Sequence, residues 1–215
     1  MEPSVYFIDD DLNLRRALLR LLHSYGYNAK SYASAKEFLN EKIPDSPACL
    51  ILDLKMPEID GLAVQNALAQ DYDHLQVIFL SGRGDITTSV RAMKAGAVDF
   101  LTKPVDGQKL DSAIRIALER AAKFVEKREA SKKDRDAFNK LTPRERDVCL
   151  RIVQGLLNKQ VGFELGTSEK TIKAQRAHVM QKLGASSLAD VVRLVERLRS
   201  SGGIPVSSVP MRSSV

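Results

Sequence analysis

The sequence predicts an α/β domain built on a parallel β-sheet over residues 1–121, followed by an all-α domain over residues 139–199. Two patterns lead to this prediction. In the first part, short apolar runs of strand length alternate with longer segments whose apolar residues recur at helical spacing. In the second part, helix-length segments follow one another, each with its own start and stop signals. Strand–helix alternation favours parallel strands with helices on both faces of the sheet.

The elements of the first domain can be placed in order. The predicted strands are Val5–Ile8, Asn28–Tyr32, Leu50–Leu52, Val77–Leu80 and Val98–Leu101. The predicted helices are Leu12–Tyr25, a helix capped by Ser34, Gly61–Ala69, Asp85–Lys94 and a helix that begins near Asp106. Five strands and five helices therefore alternate without interruption.

A highly charged segment, residues 122–138, connects the two domains. Neither glycine nor proline occurs between Gln108 and Thr142, so the last helix of the first domain is predicted to continue into this linker. A flexible charged tether is the alternative, because a helix that is polar on all sides is marginally stable alone.

The second domain contains the signals of four short helices. The first begins with Thr142 as N-cap, Pro143 at the first helical position and Glu145 two residues later, and it ends at Gly155. Asn158 is predicted to cap the second helix. The third helix is predicted over Glu169–Leu183 and is ended by Gly184, and the fourth opens at Ser186-Ser187 and runs through Leu198. Residues 200–215, which are rich in Ser, Gly, Pro and Val, are predicted to be a disordered tail.

Composition restricts the cellular environment. Among 215 residues, 44% are hydrophobic and 28% are charged, which is typical of a globular protein. No apolar run approaches the roughly 20 residues that span a bilayer, and the first residues lack the pattern of a signal peptide. Cys49 and Cys149 lie in separate apolar contexts, as expected for buried free thiols. We therefore expect a cytoplasmic protein without a membrane partner.

The net charge of +6 is unevenly distributed along the chain. Residues 1–122 carry 14 Lys and Arg against 17 Asp and Glu, a net charge of −3. Residues 123–215 carry 19 against 10, a net charge of +9. The basic second half indicates a polyanionic partner, although a basic surface can also be merely solubilising.

Chemically distinctive residues follow four of the predicted strands. Asp9-Asp10-Asp11, Asp53, Ser81 and Lys103 each stand at a strand end, and the carboxyl ends of parallel strands meet at one edge of a sheet. Asp9, Asp10 and Asp53 would repel one another unless a divalent cation neutralised them, and hard oxygen ligands favour Mg²⁺ over zinc. Asp11 is interpreted only as a turn former or as an acid at a helix N-terminus.

This set of groups suits phosphoryl transfer. A carboxylate can attack phosphorus to form an aspartyl phosphate, with a metal ion and an amine facing the phosphoryl group. Such a reaction depends mainly on positioning and on charge neutralisation. An isolated aspartate at a strand end is more often a turn former, and the coordination of four strand ends argues against that interpretation here.

These residues resemble the receiver domain of two-component response regulators. The matching positions are Asp9-Asp10, Asp53, Met56-Pro57, Gly61, Ser81-Gly82 and Lys103-Pro104. The resemblance covers the first 120 residues in order and spacing, and it implies a five-stranded flavodoxin-like (βα)5 fold.

The resemblance also implies roles for individual residues. Asp53 would be the phosphoacceptor, and Asp9, Asp10, Asp53 and the main-chain carbonyl of Lys55 would hold Mg²⁺, with Mn²⁺ as a substitute. Ser81 and Lys103 would bind the phosphoryl oxygens, and Phe100 would change rotamer together with Ser81. The Lys103–Pro104 peptide bond would be cis.

The third helix of the second domain has the properties of a recognition helix. It follows a short turn after another helix, and it carries basic residues that suit the major groove. Small residues on the same helix allow close approach to base edges. The candidate DNA-binding residues are Lys170, Lys173, Ala174, Arg176, Ala177 and Lys182. From charge alone, an ordinary solvated helix is the alternative interpretation.

The second domain resembles the LuxR-type helix-turn-helix domain. The matching positions include Leu141 to Glu145, Gly155, Asn158-Lys159, Leu165-Gly166, Thr171 to Lys173, Arg176 and Met180 to Leu183. Gly162 stands where alanine is usual and is expected to loosen its helix by up to about 1 kcal/mol. Ala174-Gln175 replaces a more usual Val-His pair, so base preference does not carry over from relatives.

Together the two resemblances indicate the NarL/FixJ family of response regulators, in its FixJ-like branch. They imply a transcriptional regulator that accepts phosphate on Asp53 from a sensor histidine kinase, dimerises through its receiver domain and binds double-stranded operator DNA. Activation of transcription is the commoner outcome in such proteins, with RNA polymerase as a possible partner. No enzymatic activity is expected beyond phosphorylation of Asp53 itself.

Three other functions fit the sequence less well. A phosphatase with a nucleophilic aspartate needs a second aspartate two positions on, and position 55 is lysine. A binding module that regulates without phosphate would not need the complete acidic cluster. A relay or scaffold protein would use its basic domain on something other than DNA.

Overall fold

The computed structural model describes residues 3–57, 60–68, 72–82 and 86–203. The chain divides into two units, Met1–Lys127 and Arg128–Val215. Ala69 and Asp85, at the ends of two predicted helices, lie outside the described residues, and so do residues 204–215 of the predicted tail.

The first unit contains a five-stranded parallel sheet, as the sequence predicts. Its strands are β1 (Ser4–Ile8), β2 (Asn28–Tyr32), β3 (Ala48–Asp53), β4 (Leu75–Ser81) and β5 (Asp99–Thr102), in the spatial order β2-β1-β3-β4-β5. All four pairings are parallel, so every strand ends at the same edge of the sheet. The predicted flavodoxin-like (βα)5 fold is confirmed.

Helices cover both faces of this sheet. They are α1 (Leu12–Ser24), α2 (Ala35–Leu39), α3 (Gly61–Leu68), α4 (Ile86–Lys94) and α5 (Gly107–Asn139). Side chains alternate between faces along each strand, so Val5 and Phe7 pack with α1 and α5, whereas Tyr6 and Ile8 pack with α2, α3 and α4. Because both faces are buried, the inner strands β3 and β4 are mostly apolar along their length, whereas the edge strand β2 alternates between exposed and buried residues.

The predicted linker is helical along its whole length, because residues 122–138 all lie within α5. The boundary between the two units also falls within this helix. Near the end of α5, Phe138 is buried in the apolar core of the second unit. Asp134 accepts a hydrogen bond from Arg197 Nε at 2.7 Å. The end of the predicted linker therefore contributes to the packing of the second unit.

The second unit contains four further helices. They are α6 (Pro143–Val153), α7 (Asn158–Glu164), α8 (Glu169–Leu183) and α9 (Leu188–Ser200). The predicted start of α6 is confirmed as a capping box, in which Thr142 Oγ1 accepts from the Glu145 amide and Glu145 Oε2 accepts from the Thr142 amide. Gly184 adopts a left-handed conformation at the end of α8, as expected for a glycine after a helix.

The predicted cap of α7 is wrong by one residue. Asn158 is the first helical residue, and Leu157, whose backbone is extended, occupies the N-cap. A leucine side chain cannot accept a hydrogen bond from the helix. Gln160 Oε1 instead reaches back to the Leu157 amide at 2.7 Å and satisfies this donor.

Other predictions about the interior are confirmed. Cys49 and Cys149 are both buried free thiols. Burial raises the pKa of the Cys149 thiol to about 12, which makes it unreactive.

Within the described residues, no helix combines enough length and hydrophobicity to cross a bilayer.

Candidate acidic site and candidate nucleic-acid interface

The ends of β1 and β3 bring two buried aspartates into one pocket. Asp9 directly follows β1, and Asp53 is the last residue of β3, its neighbour in the sheet. Asp9 is 0% exposed and Asp53 is 6% exposed. Asp10 is exposed, but an oxygen of its carboxylate lies within 4.8 Å of oxygens of both other carboxylates. The structure therefore assembles the three acids that the sequence analysis selected.

Lys103 joins the two buried carboxylates. Its Nζ donates hydrogen bonds to Asp9 Oδ2 at 2.6 Å and to Asp53 Oδ2 at 2.9 Å. The Lys103 amide donates to the carbonyl oxygen of Ser81 at 2.8 Å, which holds the end of β5 against the end of β4. The Lys103–Pro104 peptide bond is cis, as predicted.

Burial and charge pairing act against each other in this pocket. Burial raises the pKa of the Asp9 carboxyl, and hydrogen bonds from Lys103 and the Asp11 amide offset this rise only in part. Burial alone would lower the pKa of the Lys103 ammonium, but hydrogen bonds and charges from Asp53 and Asp9 outweigh it and raise that pKa. Lys103 is therefore held as a cation, and a second cation would further stabilise the ionised form of Asp9.

The remaining predicted residues of this site lie in β4, in β5 and in the loop directly after β3. Ser81 is the last residue of β4 and is buried. Phe100 is half-buried in β5 opposite Phe79, and their ring centroids are 6.4 Å apart. The Lys55 amide donates to Asp53 Oδ1 at 3.4 Å, so the chain after β3 turns around the Asp53 carboxylate.

Gly61 allows α3 to begin directly against the strand that ends in Asp53. A Cβ atom at this position would lie 2.7 Å from the main-chain oxygen of Asp53 and 3.0 Å from Phe79 Cε1. Both distances are shorter than an ordinary van der Waals contact. A larger residue would therefore displace the backbone that carries Asp53, which gives a physical reason for the glycine in this motif.

The acidic cluster fits a magnesium ion. Asp9, Asp10 and Asp53 each offer a carboxylate oxygen to a common position, and these are the hard ligands that Mg²⁺ and Mn²⁺ prefer. Lys103 neutralises only one of the three negative charges. A divalent cation would compensate the remainder, so the charge balance agrees with the ligand type.

In the second unit, α7, a short turn and α8 form a helix-turn-helix. The turn packs closely because Gly162 is buried in α7, and a Cβ there would lie 2.8 Å from the main-chain oxygen of Thr167. The Thr167 amide donates to the Gly162 carbonyl at 2.8 Å. Gly162, which is predicted from the sequence only to loosen its helix, therefore allows close packing of the turn against α7.

One face of α8 is exposed and carries most of the predicted DNA-binding residues. Lys170, Lys173, Ala174 and Ala177 recur at helical spacing, and all four are exposed. His178 and Gln181 extend the same exposed face by another turn. Neither residue is among the DNA-binding residues predicted from the sequence, although the same helical spacing identifies both.

Arg176 lies away from this face. Its Nη1 donates to Asn158 Oδ1 at 3.4 Å, and its side chain is partly buried between α7 and α8. Its position in the helical repeat is close to that of the buried residues Ile172 and Val179. The structure therefore gives Arg176 a contact within the unit that the sequence analysis did not anticipate.

Lys182 also has a partner within the unit. Its Nζ donates to Glu145 Oε2 at 2.7 Å and joins the end of α8 to the capping box of α6. This lysine is one of the DNA-binding residues that the sequence predicts. In the structure, its ammonium group compensates the nearly buried carboxylate of Glu145.

Comparison with known proteins matches each of the two units to a protein family. Residues 5–115 match the family described as response regulator receiver domain, and residues 139–195 match the bacterial regulatory proteins of the luxR family. The chain belongs to the NarL/FixJ family of two-component response regulators.

Several relatives of this response regulator span nearly all of its length. Nodulation protein W of Bradyrhizobium diazoefficiens is 43% identical over 194 residues, which cover 90% of this chain and 86% of that protein. The transcriptional regulatory protein FixJ of Azorhizobium caulinodans is 38% identical and covers 88% of this chain and 90% of that one. The solved structure of the response regulator StyR aligns with a TM-score of 0.81 at 40% identity, over 92% of this chain and 100% of that one.

The ion pair between Glu145 and Lys182 predicts that the folded protein becomes less stable in acid. The hydrogen bond from Lys182, followed by that from the Thr142 amide, lowers the pKa of Glu145 from 4.5 to about 2. Because the folded-state pKa is depressed, the stabilisation is complete above about pH 4.5 and is lost as the pH falls towards 2. We expect the free energy of unfolding of Lys182→Met to fall less than that of the unmodified protein as the pH drops through this range. Denaturant titration at successive pH values measures this difference.

Lys173→Met is the matched control, because it removes the same charge from the exposed face of the same helix. This variant should retain the pH dependence of the unmodified protein. Equal pH profiles for Lys182→Met and the unmodified protein would contradict the assigned pairing.

Proposed function

We propose that this response regulator is a DNA-binding transcription factor that is activated by phosphorylation of Asp53, with a sensor histidine kinase as the phosphate donor. The observation that supports this most directly is the position of Lys103 Nζ, within hydrogen-bonding distance of both Asp9 and Asp53. An acceptor carboxylate, further carboxylates for a metal ion and a cationic amine then share one pocket.

The proposed reaction requires little further machinery. An oxygen of the Asp53 carboxylate forms a bond to phosphorus while the bond from phosphorus to the imidazole nitrogen of the kinase breaks, and that nitrogen keeps the electron pair. Asp9, Asp10, Asp53 and the main-chain carbonyl of Lys55 would hold Mg²⁺, or Mn²⁺ in its place. The bound ion would supply positive charge against the phosphoryl oxygens.

Ser81, Lys103 and Phe100 would convert phosphorylation into a conformational change. The Lys103 ammonium would exchange its hydrogen bonds to carboxylates for a contact with the phosphoryl group, and the Ser81 hydroxyl would bind another phosphoryl oxygen. Phe100, half-buried beside Phe79, would repack as Ser81 moves. The phosphate would thus shift the population between two states of the receiver domain.

The phosphoacceptor can be tested with a small donor. We expect Asp53→Asn to abolish phosphate uptake from acetyl phosphate in the presence of Mg²⁺, because an amide is a poor nucleophile towards phosphorus. Incorporation is measured by phosphate-affinity electrophoresis of the full-length protein.

Asp136→Asn serves as the control, since Asp136 is an exposed aspartate of α5 far along the sequence. It should incorporate phosphate at the normal rate. Uptake by Asp53→Asn at the rate of the control would refute the proposal, and uptake that is independent of Mg²⁺ would refute the metal assignment.

Phosphorylation is proposed to favour a homodimer through α4 and β5. The exposed face of α4 carries Ile86, Val90 and Met93 at helical spacing, with exposures of 81%, 45% and 44%. β5 is an edge strand of the sheet and lies next to α4. A second copy would cover this apolar face.

Val90→Glu should weaken the phosphorylated dimer by about tenfold or more, because it places an unpaired charge in the proposed interface. Sedimentation equilibrium with and without acetyl phosphate measures the change. Leu39→Glu, at a similarly exposed leucine of α2, should leave dimerisation unchanged. An equal effect of the two variants would exclude this face as the interface.

We further propose that α8 enters the major groove of operator DNA. Lys170 and Lys173 would contact phosphates, while Ala174 and Ala177 would lie close enough to contact base edges. Arg176 would support α8 through Asn158, and Lys182 would stabilise the end of α8, each with a smaller direct contribution to DNA binding. The net charge of +9 over residues 123–215 favours the same partner.

Lys170→Ala and Lys173→Ala should each weaken DNA binding and reduce the slope of log affinity against log salt by about 1, as loss of one phosphate contact requires. Fluorescence anisotropy with a duplex selected by the protein from random-sequence DNA measures both quantities. Lys140→Ala removes an exposed lysine outside α8 and should leave the slope unchanged. Slopes equal to that of the control would indicate that α8 does not bind the DNA backbone.

The regulator is proposed to act in the cytoplasm as a transcriptional activator that contacts RNA polymerase. In vitro transcription with purified polymerase tests this: stimulation by the phosphorylated protein supports activation, and reduced transcription would identify a repressor.

A further inference from the structure

Arg15, in the second turn of α1, binds the backbone of the acidic loop between β1 and α1. A single nitrogen, Nη1, donates to the carbonyl oxygen of Asp9 at 2.6 Å and to that of Asp10 at 3.0 Å. We propose that Arg15 is a positioning residue for cation binding, which it serves by fixing Asp10 towards the pocket. This inference rests on the proposed function of the acidic site.

The three consecutive aspartates of this loop are fixed in different ways. The Asp9 carboxylate is buried and accepts hydrogen bonds from Lys103 and from the Asp11 amide. Asp11 caps α1, where its carboxylate accepts from two amides of the first turn. Over the part of the chain that the structure describes, no donor contacts the carboxylate of Asp10, which is exposed. The direction of the Asp10 side chain therefore depends on its own backbone.

Arg15 supplies the constraint on that backbone. The two hydrogens of Nη1 point to successive carbonyl oxygens, which fixes the peptide groups on both sides of Asp10. The guanidinium is anchored in turn by α1, because the Arg15 amide continues the helix from the Asp11 carbonyl at 3.0 Å. Arg15 thus connects α1 to the backbone of the acidic loop.

Electrostatic repulsion makes this constraint necessary. One carboxylate oxygen of Asp10 lies within 4.8 Å of an oxygen of Asp9 and of an oxygen of Asp53, so three carboxylates crowd one another. Lys103 contacts the two buried acids and leaves the repulsion on Asp10 uncompensated. A loop without Arg15 would relieve this repulsion by turning Asp10 outward. Cation binding would then have to restore the ordered loop, and the free-energy cost of this ordering would lower the affinity.

The expected size of the effect follows from other metal sites. Residues that orient metal ligands without touching the metal typically change affinity by about 10-fold to 100-fold when they are removed. Arg15 acts on one of three carboxylates, so we expect the lower end of this range, about tenfold.

The test uses the full-length protein and Mg²⁺ alone, titrated by isothermal calorimetry. Arg15→Met should weaken Mg²⁺ binding by about tenfold. Arg16→Met is the matched control, because it removes the same charge from the next residue of α1, and it should change the affinity by less than about twofold. Arg15→Lys keeps the charge but ends one atom short of Nη1, so its affinity should lie between those of the unmodified protein and Arg15→Met.

A second measurement separates positioning from a general loss of structure. With acetyl phosphate as donor, Arg15→Met should require about tenfold more Mg²⁺ for half-maximal phosphorylation, while its rate at saturating Mg²⁺ should stay within about threefold of normal. If Arg15→Met does not fold, the comparison of Arg15→Lys with Arg16→Lys decides the question by the same measurements.

The possible outcomes are distinct. Equal Mg²⁺ affinities of the Arg15 variants and their Arg16 controls would overturn the role of Arg15 and leave the proposed function intact, provided that the unmodified protein binds Mg²⁺ and is phosphorylated on Asp53. An unmodified protein that does not bind Mg²⁺ would overturn both proposals. A selective loss of affinity in the Arg15 variants would support both.

Discussion

The ammonium group of Lys103 lies between two buried carboxylates that come from different strands, and the geometry of the acidic pocket depends on this interaction. Without it, Asp9 and Asp53 would be two like charges removed from water at short range, a costly arrangement. The parallel sheet makes the interaction possible because all its strands end at one edge. Residues that are up to 94 positions apart in sequence thereby meet at hydrogen-bonding distance.

The same pocket is incompletely neutralised, which suits a site that receives further charge and responds to it. One lysine contacts two of three clustered carboxylates, so the domain retains repulsion between carboxylates that a divalent cation would reduce. The contacts around the pocket are correspondingly specific. Gly61 leaves room for the strand end, and Arg15 binds the backbone of the acidic loop. Each contact acts on the position of a carboxylate rather than on the chemistry itself.

In the second unit, contacts of charged side chains join helices to one another. Glu145 closes the N-terminus of α6 and also receives Lys182 from the end of α8, so one carboxylate joins a helix cap to a helix–helix contact. The contact between Arg176 and Asn158 joins α8 to α7 in a similar way. These pairs direct two basic side chains of α8 towards its own domain. They leave Lys170 and Lys173 to define the exposed basic face.

Sequence patterns predicted most of this architecture because the relevant physics is local. Apolar runs of strand length, helical spacing and a proline after a threonine cap depend on neighbours within a few residues, and they located the strands, the helices and the capping box correctly. The error at the start of α7 has a local cause as well. Asn158 is a good capping residue, but a glutamine two residues later satisfies the amide of Leu157 instead.

The sequence by itself determined the fold class and the four charged residues that meet in the acidic pocket, because residue type and strand-end position suffice for both. Only the tertiary structure decided which charges pair. Lys173 and Lys182 are both lysines of the same predicted helix, and the sequence does not distinguish them. The packing of α6 against α8 places Glu145 Oε2 2.7 Å from Lys182 Nζ, whereas Lys173 remains on the exposed face. Arg15 likewise occupies an ordinary helical position in the sequence, and only the fold brings the loop carbonyls to its guanidinium. Ion pairs and backbone contacts of this kind depend on distances between elements, and no short-range pattern in the chain encodes them.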